Sequence, residues 1–250
     1  MKNSNLLAIK YLGLQDYSVV FDEMKRFTLD RIEKKQRAEE SSDEIWLVQH
    51  PPVYTQGQAG KPEHMLNPSA IPIIQTDRGG QITYHGPGQI VAYLLLALKH
   101  YDLNVRDLVC LQERAIITLL KRYNIDANGS REAPGVYVYS KQLTFRCGAN
   151  GHEDANEICN KTENSSAQSI NGQKIASIGL RIKQGFSYHG LALNVDMDLS
   201  PFQSIRPCGL FNMQMTQIKA HAPDVTFAQA EKEMAEILIN LLAEKRRTCD

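Results

Sequence analysis

Apolar residues recur at helical spacing in three stretches of the chain, which predicts three helices. In the first stretch they stand three or four positions apart among charged residues, at Tyr17, Val20, Met24 and Phe27. The second helix is predicted to begin after Asn104, which can cap its N-terminus. The third is predicted to begin at Thr226, with Gln229 three residues later as a capping-box partner.

Short apolar runs between turn residues predict strands. They lie at residues 6–11, 45–48, 71–74, 90–98, 135–139, 175–182 and 186–195. The runs 45–48 and 71–74 are compact and suit buried strands, and a turn is expected near Gln184 and Gly185. The run 90–98 is apolar throughout, which predicts a strand covered on both faces. Helices and strands together predict one mixed α/β domain over residues 1–250.

One segment, residues 141–173, breaks this pattern because it is polar and rich in Asn, Ser, Glu and Gly. A loop of that length without structure is unusual inside a compact domain, so we interpret it as a solvent-exposed insertion. It contains Cys147, His152 and Cys159, but no paired Cys-x-x-Cys spacing. The pattern does not favour a zinc site, and no metal is expected.

Net charge, apolar run length and cysteine content indicate which partners and which compartment to expect. There are 28 basic and 28 acidic residues, so the formal net charge is zero and no nucleic-acid partner is expected. The longest apolar run is too short to cross a membrane, and the N-terminal residues offer no signal-peptide core. The five cysteines are an odd number at low density, which indicates free thiols in a reducing compartment. A cytoplasmic protein is expected.

The densest candidate for chemistry is the segment RGGQITYHGPGQ at residues 78–89. Its four glycines permit unusual backbone angles and allow a ligand to approach the main chain closely. An elaborate hairpin turn would explain the glycines and the proline, but it does not call for Arg78, Thr83, Tyr84 and His85 around them. The segment is not a phosphate-binding P-loop, because no Gly-Lys-Ser/Thr follows.

Two neighbouring strands form a second candidate, KIASIGLRI at residues 174–182 and HGLALNVD at residues 189–196. Small side chains recur along both: Ala176, Ser177, Gly179, Gly190 and Ala192. They would leave space for a ligand against the sheet. Close packing of strand against helix explains them equally, and from the small residues alone it is the favoured interpretation.

The third candidate is Cys208, which stands between Pro207 and Gly209. A free cysteine is more often a small buried hydrophobic residue than a nucleophile. A catalytic thiol needs exposure and a nearby cation that lowers its pKa. The candidates for that cation are Lys174, Arg206, His85 and His189, and the sequence alone does not choose among them. The other histidines are interpreted as structural or surface residues.

These three patches, in this order, resemble the lipoyl(octanoyl) transferase family. The resemblance implies a biotin/lipoate protein ligase-like fold, a single α/β domain in which helices flank a mixed sheet. It implies that Cys208 carries the acyl group as a thioester and that Lys174 pairs with it. It also implies substrate contacts from three segments: Arg78, Gly79, Gly80, Gln81, Ile82, Thr83, Tyr84 and His85; Ser177, Ile178 and Gly179; and Gly190, Leu191 and Ala192.

The implied reaction transfers an octanoyl group from octanoyl-acyl carrier protein to a lysine of lipoyl domains, without a cofactor. The implied acceptors are the lipoyl domains of 2-oxoacid dehydrogenase E2 subunits and the glycine cleavage H protein. Both kinds of partner are typically acidic, and a basic patch is expected from Arg78, Lys174, Arg181, Lys183 and Arg206. Two features depart from the family pattern. The insertion before Lys174 is long, and residues 210–213 lack a glycine that many members carry.

Three other functions remain open at this point. An ATP-dependent lipoate or biotin ligase on the same fold would not need Cys208. A Cys/His thioester hydrolase would use Cys208 with His85 or His189 and transfer the acyl group to water. A non-catalytic acyl-binding or partner-binding module would function without the thiol.

Overall fold

The computed structural model describes residues 7–67, 70–130, 134–139, 172–206 and 213–247. The helices are α1 (Tyr17–Gln36), α2 (Val105–Arg122) and α3 (Phe227–Arg247). All three sequence predictions are confirmed, and so are the caps at Asn104 and Thr226. The Asn104 side chain accepts a hydrogen bond from the Asp107 N–H at 3.0 Å, and the Thr226 hydroxyl accepts one from the Gln229 N–H at 3.2 Å.

The strands form one large sheet and one small sheet. They are β1 (Leu7–Leu14), β2 (Asp43–Gln49), β3 (Val53–Gln56), β4 (Ile73–Gln75), β5 (Ile82–His85), β6 (Gln89–Leu95), β7 (Ala127–Gly129), β8 (Gly135–Val138), β9 (Gln173–Lys183) and β10 (Phe186–Asn194). The large sheet has the order β1-β2-β6-β10-β9-β8-β7, and the small sheet has the order β4-β3-β5. Each sheet contains one parallel pair, β1 with β2 and β3 with β4, beside antiparallel pairs. The predicted mixed α/β architecture is confirmed.

Apolar side chains cover both faces of the large sheet. One face packs against α2 and α3 and forms the larger core, which includes Leu94, Leu119 and Leu238. The other face packs against α1 and forms a second core around Val91 and Met24. Every residue of β6 is buried, as its unbroken apolar run predicted. None of the helices in the described ranges is long and apolar enough to cross a membrane.

The small sheet is where the sequence predictions were least accurate. A strand was predicted at residues 71–74 and does form nearby, but its predicted burial is wrong. The strand lies at Ile73–Gln75 on the edge of the small sheet, and Ile73 is 52% exposed. Strands β3, β5 and β7 were not predicted, and they span only four, four and three residues. Strands this short carry too few positions for an alternating pattern to be recognised.

A bulge at the start of β9 determines which side chains face the small sheet. Tyr137 pairs with Lys174 but Val136 pairs with Ala176, so Ile175 is an extra residue on β9. Ile175 and Ala176 both belong to the core against α2 and α3. Because side chains alternate beyond the bulge, Lys174 lies on the opposite face of the sheet, together with Ser177 and Gly179. The predicted insertion lies almost entirely outside the described residues, and β9 begins at its last position.

Candidate active site

A loop after β4 brings the glycine-rich segment against β9. The Gly79 N–H donates a hydrogen bond to the Leu180 carbonyl at 2.9 Å. A side chain at Gly179 would place its Cβ only 3.0 Å from the Gly79 carbonyl oxygen and 3.2 Å from Arg78 Cδ. A larger residue at position 179 would therefore require Gly79 or Arg78 to move by a few tenths of an ångström, and the glycine suits this close approach. The first and second candidate patches of the sequence meet at this contact.

Arg78 is buried, and its guanidinium is fixed by the small sheet. It donates hydrogen bonds to the Thr55 hydroxyl from Nε at 3.2 Å and from Nη2 at 2.8 Å, and to the Thr55 carbonyl at 2.5 Å. The Thr55 hydroxyl in turn lies 3.1 Å from Nε2 of His85. Thr55 was not identified from the sequence, because it lies on the unrecognised strand β3.

His85 is a neutral side chain in this arrangement. Burial is the main reason that its pKa is lowered to about 3, and the neighbouring His50 lowers it further. Its Nδ1 lies 2.7 Å from Gln89 Oε1, which can only accept, so the proton sits on Nδ1 and Nε2 accepts from Thr55. His85 therefore supplies no cation to a thiol.

A carboxylate before Arg78 binds two residues of β10. Asp77 accepts hydrogen bonds from Nε2 of His189 at 2.8 Å and from the Tyr188 hydroxyl. His189 has a φ of +60°. Because of this left-handed backbone, the consecutive side chains of Tyr188 and His189 lie on the same side of the strand. Burial acts to raise the pKa of Asp77, but these hydrogen bonds outweigh it and the pKa is lowered. The sequence predicted no role for Asp77, which directly precedes the glycine-rich segment.

Lys174 lies at the start of β9 with 1% of its surface exposed. Its Nζ donates a hydrogen bond to the Pro134 carbonyl at 3.1 Å and stands 5.4 Å from the centre of the Tyr137 ring. Its backbone N–H and carbonyl both form hydrogen bonds with the segment 213–217. The Lys174 N–H donates to the Gln214 carbonyl at 2.8 Å, and the Lys174 carbonyl accepts from the Thr216 N–H at 2.9 Å. Both the backbone and the ammonium group of Lys174 are thus held in place.

Cys208 lies outside the described residues, so its predicted position stays untested. The described chain is anchored on both sides of it. Before it, the Arg206 N–H donates to the His64 carbonyl at 2.8 Å. After it, Gln214 is bonded to Lys174, only six residues further along the sequence.

The other predicted site residues divide between the two faces of their strands. Ala192 pairs with Ser177, and both share with Gly179 the face that carries Lys174. Gly190 pairs with Gly179, but a Cβ at Gly190 would collide with the Ala92 carbonyl and would lie 3.1 Å from Leu94 of the opposite core. The side chains of Ile178 and Leu191 pack in the opposite core, which leaves only their backbone on the site. On β5, Thr83 and His85 share one face, whereas Ile82 and Tyr84 pack with Phe202 beneath the small sheet.

The predicted basic patch needs correction. Arg78 is 8% exposed and Lys174 is 1% exposed, so neither contributes to a surface that a partner protein could contact. Both side chains form hydrogen bonds inside the domain, Arg78 with Thr55 and Lys174 with the Pro134 carbonyl. Arg181 and Lys183 remain on the outer part of β9, and Arg181 donates a hydrogen bond to Gln58 at 3.0 Å.

Two buried histidines make the stability of the fold depend on pH. Burial lowers the pKa of His50 to about 4 and that of His85 to about 3. In the unfolded chain both titrate near pH 6.5, so below that pH the unfolded state binds more protons than the folded state. We expect the free energy of unfolding to fall by about 1 kcal/mol per pH unit for each histidine between pH 6.5 and 5.

Urea unfolding at pH 7.5 and 5.5 measures this effect. The variant His50→Gln, which cannot titrate, should show a smaller difference between the two pH values than the original chain. An equal difference in both proteins would show that His50 is not the source.

The fold is that of lipoate protein ligases. A putative lipoate protein ligase from T. acidophilum superposes with a TM-score of 0.57 at 13% identity, covering 95% of this chain and 84% of that one. A lipoate-protein ligase A bound with ATP also gives 0.57 at 13% identity, covering 96% and 84%. These likenesses define the class of fold.

The family follows from sequence similarity along nearly the whole chain. Residues 24–239 match the lipoyl protein ligase A/B catalytic domain. An octanoyltransferase of Pseudomonas entomophila (strain L48) is 46% identical over 239 residues, which are 96% of this chain and 94% of the relative. One from Shewanella halifaxensis (strain HAW-EB4) is 47% identical over 234 residues, 94% and 90% of the two chains. The chain belongs to the lipoyl protein ligase A/B catalytic domain family. It is an acyltransferase that transfers octanoyl groups in protein lipoylation.

Proposed function

We propose that the chain takes an octanoyl group from octanoyl-acyl carrier protein, holds it as a thioester on Cys208, and passes it to a lysine of a lipoyl domain. The acceptors we propose are the lipoyl domains of 2-oxoacid dehydrogenase E2 subunits and the glycine cleavage H protein. The observation that carries the proposal is the placement of Lys174. It is a buried ammonium group whose backbone is paired with the segment that follows Cys208 in the sequence.

In the first half-reaction the Cys208 thiolate attacks the carbonyl carbon of the octanoyl thioester. The bond from that carbon to the carrier's sulfur breaks, and the carrier sulfur takes the proton of the Lys174 ammonium and leaves as a thiol. One thioester replaces another, so the step is close to neutral in free energy. The ammonium of Lys174 favours the thiolate form of Cys208 because an adjacent positive charge lowers the pKa of a thiol.

In the second half-reaction the amine of the acceptor lysine attacks the acyl-enzyme. An amide forms, the bond to the Cys208 sulfur breaks, and the amine loses a proton. This exchange of a thioester for an amide is downhill and needs no ATP. A covalent intermediate between two substrates gives a ping-pong scheme, and backbone N–H groups stabilise the oxyanion of each step. Lys174 serves both halves, charged beside the thiolate and then neutral as the proton acceptor.

The octanoyl chain is proposed to lie on the face formed by Ser177, Gly179 and Ala192, beside the backbone of Gly190. Gly179 and Ser177 are half-buried on β9, and Gly190 and Ala192 are their partners on β10. The seven carbons beyond the carbonyl could contribute about 6 kcal/mol at ~0.8 kcal/mol for each buried methylene. One methylene more or less changes the free energy of binding by only about 1–3 kcal/mol, so selectivity for chain length should be finite.

Gly135 offers a test of Lys174 that leaves the lysine itself unchanged. A Cβ at position 135 would lie 2.7 Å from Lys174 Cε and would also meet the Ala176 carbonyl. We expect Gly135→Ala to lower kcat about 10- to 100-fold, because a small misplacement of a catalytic group has a large effect on rate. The measurement is steady-state transfer of octanoyl to a lipoyl domain.

The control for this variant is Gly185→Ala. Gly185 also has a positive φ, of +87°, but an added Cβ would meet nothing closer than Lys35 Nζ at 3.9 Å. Gly185→Ala therefore also places a side chain at a positive φ, but far from Lys174. If both variants lost activity equally, strain rather than displacement of Lys174 would explain the result.

The experiment that tests the proposed function compares donors in a reconstituted reaction. Octanoyl-acyl carrier protein should octanoylate a lipoyl domain in the absence of ATP, and free octanoate with ATP should not. The opposite result would identify an ATP-dependent ligase. Release of free octanoate without modification of the lipoyl domain would identify a hydrolase.

A further inference from the structure

A continuous chain of buried hydrogen bonds leads from the Arg78 loop to the backbone of Lys174. It continues the contacts of Thr55 and His85 described above. The Gln89 amide donates to Asn194 Oδ1 at 2.9 Å, and the Asn194 amide donates to the Thr216 carbonyl at 3.0 Å. Gln89, Asn194 and Thr216 are at most 4% exposed.

All the hydrogen bonds of this network run in the same direction, from donor to acceptor. Arg78 donates to Thr55, Thr55 to His85, His85 to Gln89, Gln89 to Asn194, and Asn194 to Thr216. Reversing any one member would set two donors or two acceptors against each other. Such a network in a low-dielectric interior specifies one arrangement, because a buried polar group without a partner costs about 1–3 kcal/mol.

Thr216, the last residue of this hydrogen-bond network, contacts the backbone of Lys174. The Thr216 N–H donates to the Lys174 carbonyl, and the Gln214 carbonyl accepts from the Lys174 N–H. The Thr216 carbonyl, on the far side of the same residue, is the group that Asn194 binds. Asn194 therefore holds Thr216 through the Thr216 carbonyl, and Thr216 holds the backbone of Lys174 through its N–H.

We propose that Asn194 is a positioning residue for the transfer reaction, which acts by fixing Lys174 through Thr216. This inference rests on the proposed role of Lys174. The test is Asn194→Asp, a nearly isosteric change that replaces the amide donor by a carboxylate oxygen facing the Thr216 carbonyl. The ionised carboxylate repels the Thr216 carbonyl and displaces the segment, whereas a protonated carboxyl group would restore the hydrogen bond, so the loss of activity should deepen as the pH is raised.

We expect Asn194→Asp to lower kcat about 10- to 100-fold while the KM for octanoyl-acyl carrier protein changes less than about threefold. The matched control is Ser187→Ala at the other end of β10. Ser187 is also fully buried, and its hydroxyl donates to the Leu94 carbonyl at 2.6 Å. The control should lower stability and leave kcat unchanged. Equal losses of kcat in the two variants would overturn the inference.

A double variant with Lys174→Met provides the sharper readout. If Asn194 acts through Lys174, then Asn194→Asp should reduce the residual single-turnover rate of Lys174→Met by less than about threefold. A multiplicative loss would overturn this inference alone. A fully active Lys174→Met enzyme would overturn the role of Lys174 and this inference with it. If Asn194→Asp does not fold, Gln89→Met removes the preceding hydrogen bond and is tested in the same way.

Discussion

Replacement of Cys208 by alanine is expected to lower the rate of octanoyl transfer to a lipoyl domain by at least about 1,000-fold, because it removes the nucleophile of both half-reactions. Cys208→Ser should be nearly as inactive, since a hydroxyl at neutral pH is a much weaker nucleophile than a thiolate. The measurement is the initial rate with octanoyl-acyl carrier protein as donor and no ATP.

The control for the cysteine variants is Cys110→Ala. Cys110 is a half-buried cysteine on α2, which packs against the face of the large sheet opposite Lys174. This variant should keep the full rate, which separates loss of a particular thiol from loss of any thiol. Transfer by Cys208→Ala within tenfold of the original rate would exclude a thioester on this residue.

Replacement of Lys174 by methionine should lower the transfer rate about 100- to 10,000-fold, the range typical for loss of a group that moves a proton in the transition state. Methionine keeps much of the buried volume but loses the charge and leaves the Pro134 carbonyl without this donor. Lys183→Met, at the exposed end of the same strand, is the matched control and should keep its activity. If Lys174→Met kept more than a tenth of the rate, the proposed mechanism would be wrong.

Lys174→Arg distinguishes the two roles assigned to the lysine. Arginine stays charged, so it can still favour a thiolate, but it does not accept a proton at physiological pH. In single-turnover measurements, release of the carrier thiol should fall less than transfer of the acyl group to the acceptor amine. Equal losses in both half-reactions would contradict the assignment of the second role.

Much of the fold was accessible from the sequence where the local signals were strong. The Asn104 and Asp107 pair marked the start of α2, and the turn at Gln184 and Gly185 marked the β9–β10 hairpin. The small sheet was harder to predict. Its strands have three or four residues each, so periodicity identified neither β3 nor β5, and β4 is an exposed edge although its apolar run suggested a buried strand.

The candidate site shows a similar division. The glycine-rich segment and the two small-residue strands were identified from composition, and they do meet at Gly179. The partners that fix them were not, because Thr55 lies on a short strand and Asp77 carries no local signal of a shared role. The face on which Lys174 lies depends on one extra residue in β9, and the hydrophobic pattern does not reveal a one-residue bulge.

The central claim is that Cys208 carries the acyl group, and mass spectrometry of the intact protein tests it most directly. The protein and its Cys208→Ala variant are mixed with octanoyl-acyl carrier protein, without ATP and without an acceptor. The expected result is an octanoyl adduct on the original chain alone, which hydroxylamine removes. Absence of an adduct from both proteins, with octanoate reaching a lipoyl domain only when ATP is present, would contradict the thioester mechanism.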